Sequence, residues 1–281
     1  IKAISQMGFK ATSLWASQSK ILDEYYTKET IKGLKELLEQ TGLKLQGFTS
    51  INFDLASMDS ETSKRGWTTY QKAVEVARDL GATVINLLGH YPPIGISMVD
   101  WTRLWTAPIF KTNMPTEPDF WIKTWENYVS LMGKCVDLAK ENGLRVSLEP
   151  HPFMIVSNTD SALRLFDAVG SESLGVTFDT ALFKQSNEVT EIAILKMGKR
   201  MFNVHISDSL GNFTSPLHLT IGRGNIYWEG VLKALKTVGY DSFLELELMQ
   251  MITDEESFRI ENQKSIDNIM EAGKRAEVFI E

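Results

Sequence analysis

Short apolar runs alternate with longer segments of helical periodicity from one end of the chain to the other, and this alternation restricts the fold more than any other feature. The runs lie at 9–15, 43–51, 83–88, 145–149, 175–179, 201–206 and 243–248. Helical segments follow them at 27–40, 61–80, 119–141, 160–169, 188–199, 228–238 and from about 254, while 1–7 reads as the tail of another helix, closed by Gly8. Continuous apolar strands joined through helices predict a parallel sheet covered on both faces.

The tally separates a barrel from an open sheet. Seven strands and eight helices, with a helix at each end, fit a (β/α)8 TIM barrel whose first strand lies upstream of residue 1. A doubly wound sheet should carry a Gly-rich phosphate loop after an early strand, and none occurs. No Pro, Gly or Ser tract divides the chain, so 1–281 is expected to be one domain. With 29 basic against 36 acidic residues the chain lacks the charge of a nucleic-acid binder. Its one cysteine, Cys135, excludes an intramolecular disulfide framework. No apolar run approaches the roughly 18 residues of a membrane span, and no secretory leader is visible. A cytoplasmic protein is expected.

A barrel keeps its site at the C-terminal ends of its strands. Four strand ends there carry polar residues: Val146-Ser147-Leu148-Glu149-Pro150-His151, Gly175-Val176-Thr177-Phe178-Asp179, Phe202-Asn203-Val204-His205-Ile206-Ser207-Asp208, and Phe243-Leu244-Glu245-Leu246-Glu247-Leu248. Taken singly, a strand-end Asp is more often a turn former or helix cap, and a lone His a satisfied core residue. Acids gathered on successive strands would repel one another and resist burial unless a cation stood between them. Carboxylate oxygens with one imidazole suit Mn²⁺, Mg²⁺ or Co²⁺, and admit Zn²⁺. Mn²⁺ is the expected ion.

These segments resemble the xylose isomerase-like TIM-barrel superfamily of sugar isomerases and epimerases, inosose-pathway enzymes and endonuclease IV. Ile221-Gly222-Arg223-Gly224-Asn225-Ile226-Tyr227-Trp228 is similar to the Gly-x-Gly-x-Ile-x-Trp turn of that group. The resemblance covers nearly the whole chain and is specific beyond about residue 145. It implies that Glu149, Asp179, His205 and Glu247 hold one divalent metal. Glu247 is preferred to Glu245 because Tyr240-Asp241-Ser242 matches the family's Tyr-Asp-Gly, which the ligand follows by five residues. Asp208 is expected to orient His205 from behind.

Two departures matter. Leu182 stands where many epimerases carry the His of Asp-x-x-His, and four His in all cannot fill the trinuclear zinc site of the endonuclease branch. His151, two residues beyond Glu149, is the candidate substitute. His90 and His218 are expected to meet substrate, with Arg223 as a reader of a substrate oxygen. The irregular stretch 89–118 reads as a binding loop or as a face that docks a partner subunit. Trp105 from it, with Trp101 and Phe110, joins Trp15 as a candidate to stack on a sugar.

The expected activity is a metal-dependent sugar isomerase or epimerase, with Glu149, Glu247 or His151 moving a proton next to a carbonyl of a carbohydrate or polyol. Two alternatives are a metal-dependent lyase on a keto-sugar, of the inosose dehydratase or C-glycoside deglycosidase type, and a non-catalytic sugar-binding barrel. A homo-oligomer or a complex with a partner subunit is expected.

Overall fold

The computed structural model describes residues 1–17, 19–94, 114–211, 218–249 and 252–278. Seven strands pair in parallel and in chain order: β1 (Ala11–Ala16), β2 (Lys44–Ser50), β3 (Val84–Leu88), β4 (Arg145–Glu149), β5 (Leu174–Asp179), β6 (Met201–Ile206) and β7 (Leu244–Leu246). The sheet curls into a nearly closed TIM barrel. Among the described residues no backbone ladder joins β7 to β1. The two edges meet instead where Ser13 Oγ donates to Glu245 Oε2 at 2.7 Å.

Helices surround the sheet: α1 (Lys2–Gln6), α2 (Ser19–Glu24), α3 (Lys28–Thr41), α4 (Ser60–Leu80), α5 (Phe120–Glu141), α6 (Thr159–Val169), α7 (Thr180–Gln185), α8 (Thr190–Met197), α9 (Trp228–Thr237) and α10 (Glu255–Ala276). Their apolar stripes face the sheet. Tyr70 and Ala73 of α4, Leu165 of α6 and Val231 of α9 are fully buried in the core that fills the space between sheet and helices. No helix among the described residues is long and apolar enough to cross a membrane.

Two short helices escaped the periodicity. α2 and α7 have six residues each, too few for a stripe to repeat. The segment expected as a helix over 188–199 is ordered as α8, followed by a 3-10 turn at Gly198–Arg200. β7 is shorter than the expected run of 243–248.

Candidate metal centre

Side chains along a strand alternate between its two faces, so residues two apart share the barrel interior. This places Glu149 at the end of β4, Asp179 at the end of β5, His205 near the end of β6 and Glu247 just past β7, all at one mouth of the barrel. One ligand atom from each of these four lies within 4.8 Å of the others. His205 Nδ1 is 3.0 Å from Glu149 Oε1 and 2.8 Å from Glu247 Oε2, so two carboxylates converge on one ring nitrogen. Asp179 Oδ1 accepts the Leu182 N–H at 2.8 Å and caps α7. Its Oδ2 is buried with no hydrogen bond among the described residues.

An anionic oxygen buried without a donor is costly, and a cation offsets that cost. The Asp179 Oδ2, which accepts no hydrogen bond among the described residues and lies 3.4 Å from His218 Nδ1, and the set of three carboxylates with one imidazole therefore fit a hard divalent ion. Burial raises the Asp179 carboxyl to about 6, against the opposing pull of His218. Burial also works to raise Glu149, but the facing His205 imidazole outweighs it and holds that carboxyl below its usual value. Glu247 is treated alike, burial being overcome by His218 and then His205. His205 itself is lifted well above the usual imidazole value, because Glu149, Glu247 and Glu245 overcome its burial. The carboxylate field that favours the charged imidazole equally favours a metal cation beside it.

Beneath these four runs a second inward layer that is polar on every strand. Asn86 of β3 donates to Glu149 Oε2 at 3.3 Å and accepts from Thr177 Oγ1 at 3.0 Å, and Thr177 meets Ser147 Oγ at 2.6 Å. Asn86 also donates to Thr49 Oγ1 at 3.4 Å. Sequence reasoning missed Asn86 and Asn203. Their signal is a polar residue inside an apolar run, placed two before the mouth residue, as Ser147 precedes Glu149 and Asn203 precedes His205.

The xylose isomerase-like TIM barrel family matches residues 1–269. The chain belongs to that family. An uncharacterized protein of Methanocaldococcus jannaschii is 24% identical over 265 residues, covering 87% of this chain and 82% of that protein. An inosose isomerase of Bacillus velezensis is 29% identical over 120 residues, 41% of this chain and 43% of its own length. The solved structure of a D-tagatose 3-epimerase-like protein superposes with a TM-score of 0.75 at 21% identity, over 99% of this chain and 93% of the other. The IOLI protein, solved with a zinc atom bound, superposes with a TM-score of 0.72 at 17% identity, over 96% and 92%. Likeness at these identities shows the fold alone.

Within the family barrel the remaining candidates divide. His218 joins the cluster: Nδ1 is 2.9 Å from Ser207 Oγ and 3.4 Å from Asp179 Oδ2, and Nε2 is 3.7 Å from Glu247 Oε1. The Nε2 of His151 is buried without a hydrogen bond, and burial lowers the pKa of this imidazole. Trp15, near the end of β1, is 57% exposed. His90 is turned into the fold instead, with Nδ1 3.2 Å from Tyr128 Oη and Nε2 3.2 Å from the Asn52 carbonyl. Both ring nitrogens are taken up by these contacts inside the fold, and burial pulls the imidazole to about 4. Arg223 pairs with Glu261 of α10 at 2.8 Å. Trp101, Trp105 and Phe110 lie outside the described residues.

Asp208 does not back His205, contrary to expectation. Its Oδ2 accepts from Gly222 N at 2.8 Å and Trp228 Nε1 at 3.3 Å, and its Oδ1 from Ser209 N at 3.0 Å and Ile226 N at 3.2 Å. The Gly-x-Gly-x-Ile-x-Trp turn is thus wound around one buried carboxylate. Gly224 is required there because a Cβ would stand 2.2 Å from Asp208 Oδ1, and Gly222 adopts a φ of +94°. Glu245, not Asp208, lies behind His205, 3.7 Å from Nε2.

Proposed function

We propose that this barrel is a divalent-metal-dependent sugar isomerase or epimerase, acting on the carbon next to a carbonyl of a carbohydrate or polyol. The observation that carries the reading is the convergence of Glu149, Asp179, His205 and Glu247, with Asp179 Oδ2 buried and accepting no hydrogen bond among the described residues. The family and the activities of its relatives, inosose isomerase among them, support it. These four residues would hold the ion, with Mn²⁺ favoured by the oxygen-rich set. When bound, the ion supplies Lewis-acid polarisation of the substrate carbonyl and acidifies the neighbouring carbon.

The chain's own residues handle the proton. Glu149 and Glu247 stand on β4 and just past β7 and approach His205 Nδ1 from different strands, so their carboxylates can serve two faces of a substrate above them. Glu149 Oε1 takes the proton from carbon, and Glu247 Oε1 returns one that it receives from His218 Nε2, 3.7 Å away; Glu149 then releases its proton to solvent and His218 regains one. Return to the same carbon on the opposite face gives an epimer, and return to the neighbouring carbon an isomer. Trp15 offers an apolar surface at the mouth on which a sugar ring can stack.

A second reading is elimination on a keto-sugar, favoured by one observation. His151 Nε2 is a buried ring nitrogen without a partner, placed to give a proton to a leaving hydroxyl. The two readings separate in deuterium oxide with a panel of keto-sugars. Isomerisation or epimerisation introduces deuterium into a recovered sugar of unchanged composition, whereas elimination releases water and a dehydrated product. Glu149→Gln should abolish either outcome. Turnover that persists undiminished in metal-depleted enzyme would contradict both readings.

A further inference from the structure

We infer that Glu245 is a positioning residue for His205, anchored across the open seam of the barrel by Ser13. The inference rests on the metal-site reading above. Glu245 lies on β7, two residues before Glu247, with its side chain 22% exposed. An acid inside a barrel, where bulky aliphatic residues are usual, loses solvation and needs compensation. Its Oε2 accepts from Ser13 Oγ at 2.7 Å and from Asn203 Nδ2 at 3.2 Å, and stands 3.7 Å from His205 Nε2.

Asn203 Nδ2 is itself 3.1 Å from His205 Nε2. The other end of that amide, Oδ1, accepts from Gln46 Nε2 at 3.2 Å, and Gln46 also donates to Ser242 Oγ at 2.9 Å. The rear edge of the imidazole therefore meets a polar frame drawn from β1, β2, β6 and the approach to β7. Its front edge, Nδ1, is aimed at Glu149 and Glu247. The partner of the non-ligating nitrogen fixes the orientation of a metal-binding imidazole and the ring nitrogen it presents. Seam closure alone would be served by a neutral hydrogen-bonding pair. A carboxylate facing Nε2 serves the ring. Among the described residues no ladder holds β7 to β1, so the Ser13 bond, with that from Asn203, sets where the carboxylate sits.

The test is a Co²⁺ titration of the full chain, following visible absorption, for the wild type, Glu245→Gln and Ser13→Ala, with thermal melts of each metal-free form. Expected are a Kd raised roughly 10- to 100-fold and a displaced d–d spectrum in Glu245→Gln, with a smaller change in the same direction in Ser13→Ala. A folded Glu245→Gln variant with wild-type Kd and spectrum would overturn the positioning role and leave the metal site standing, even if it melted earlier. If Glu245→Gln does not fold, Ser13→Ala decides: unchanged Kd and spectrum overturn the inference, and a weakened Kd with a shifted spectrum supports it. A wild type that binds no Co²⁺ overturns the metal-site reading, and this inference with it.

Discussion

On β4 to β7 the mouth of the barrel is lined by Glu149, Asp179, His205 and Glu247, whereas the last inward residues of β1 and β3 are Trp15 and Leu88. Asp179 and His205 are 0% and 6% exposed, and Trp15 is 57% exposed. One half is a set of charged and imidazole side chains, three of them buried and Glu247 half-buried, each tied to its neighbours or to the polar layer beneath. The other presents apolar surface without charge. Burying charge demands fixed partners, so the ligand half should respond to substitution sharply and through the metal. An exposed ring has no such dependence, and changes there should reach substrate affinity alone. Substitutions in each half can break or sharpen this contrast.

The largest effect is expected in the ligand half. Glu149→Gln should lower kcat roughly 100- to 10,000-fold, the usual contribution of a placed acid or base, with KM little altered. Metal removal comes next: an ion at a hundredfold excess over its Kd stabilises by about 2.7 kcal/mol. In a chain of 281 residues that corresponds to a Tm lowered by roughly 4–5 °C on chelation, measurable by calorimetry. Metal affinity should also fall as pH drops through about 6, where the Asp179 carboxyl gains its proton. In the metal-free protein the same group works in the opposite sense. Its folded pKa is raised above 3.8, so its contribution to stability is full below that value and is lost as pH rises through about 6. Calorimetric metal titrations and metal-free melts across this range should slope in opposite directions on account of this residue.

Asp208→Asn sharpens the contrast within the ligand half. Replacing an anion that accepts four hydrogen bonds should cost about 1.5–3 kcal/mol or more in urea unfolding, while Co²⁺ affinity stays at the wild-type value, because Asp208 holds the 222–228 turn and not His205. The smallest effect belongs to the other half. Trp15→Ala should change stability by no more than about 0.5 kcal/mol and leave metal content unchanged, with a raised KM as its main effect. Loss of metal in that variant would erase the distinction between the halves.

The strand order and the acids and imidazole near the strand ends were legible because each is a local pattern, an apolar run closed by a polar residue. The choice of Glu247 over Glu245 rests instead on the family resemblance of the 240–242 segment, and the short extent of β7 was not foreseen. Asp179 shows why single-residue reasoning stalls there. The residue is a helix cap through Oδ1 and a ligand candidate through Oδ2, so both readings of a strand-end Asp hold at once. What the sequence concealed was partnership at a distance. Asp208 sits three residues from His205, yet three of its four side-chain partners lie 14–20 residues further on. Glu245 reaches Ser13 across 232 residues. His90 follows a strand as a site residue should, but Tyr128 and the Asn52 carbonyl take both its ring nitrogens. None of these pairings leaves a trace in spacing.

The most direct measurement is the metal content of the purified full chain after dialysis, beside His205→Ala, with folding of both checked by circular dichroism. About one divalent ion per chain in the wild type, lost in a variant that remains folded, is the predicted result. A folded wild type that retains no ion, and takes up none when titrated with Mn²⁺, would contradict the account.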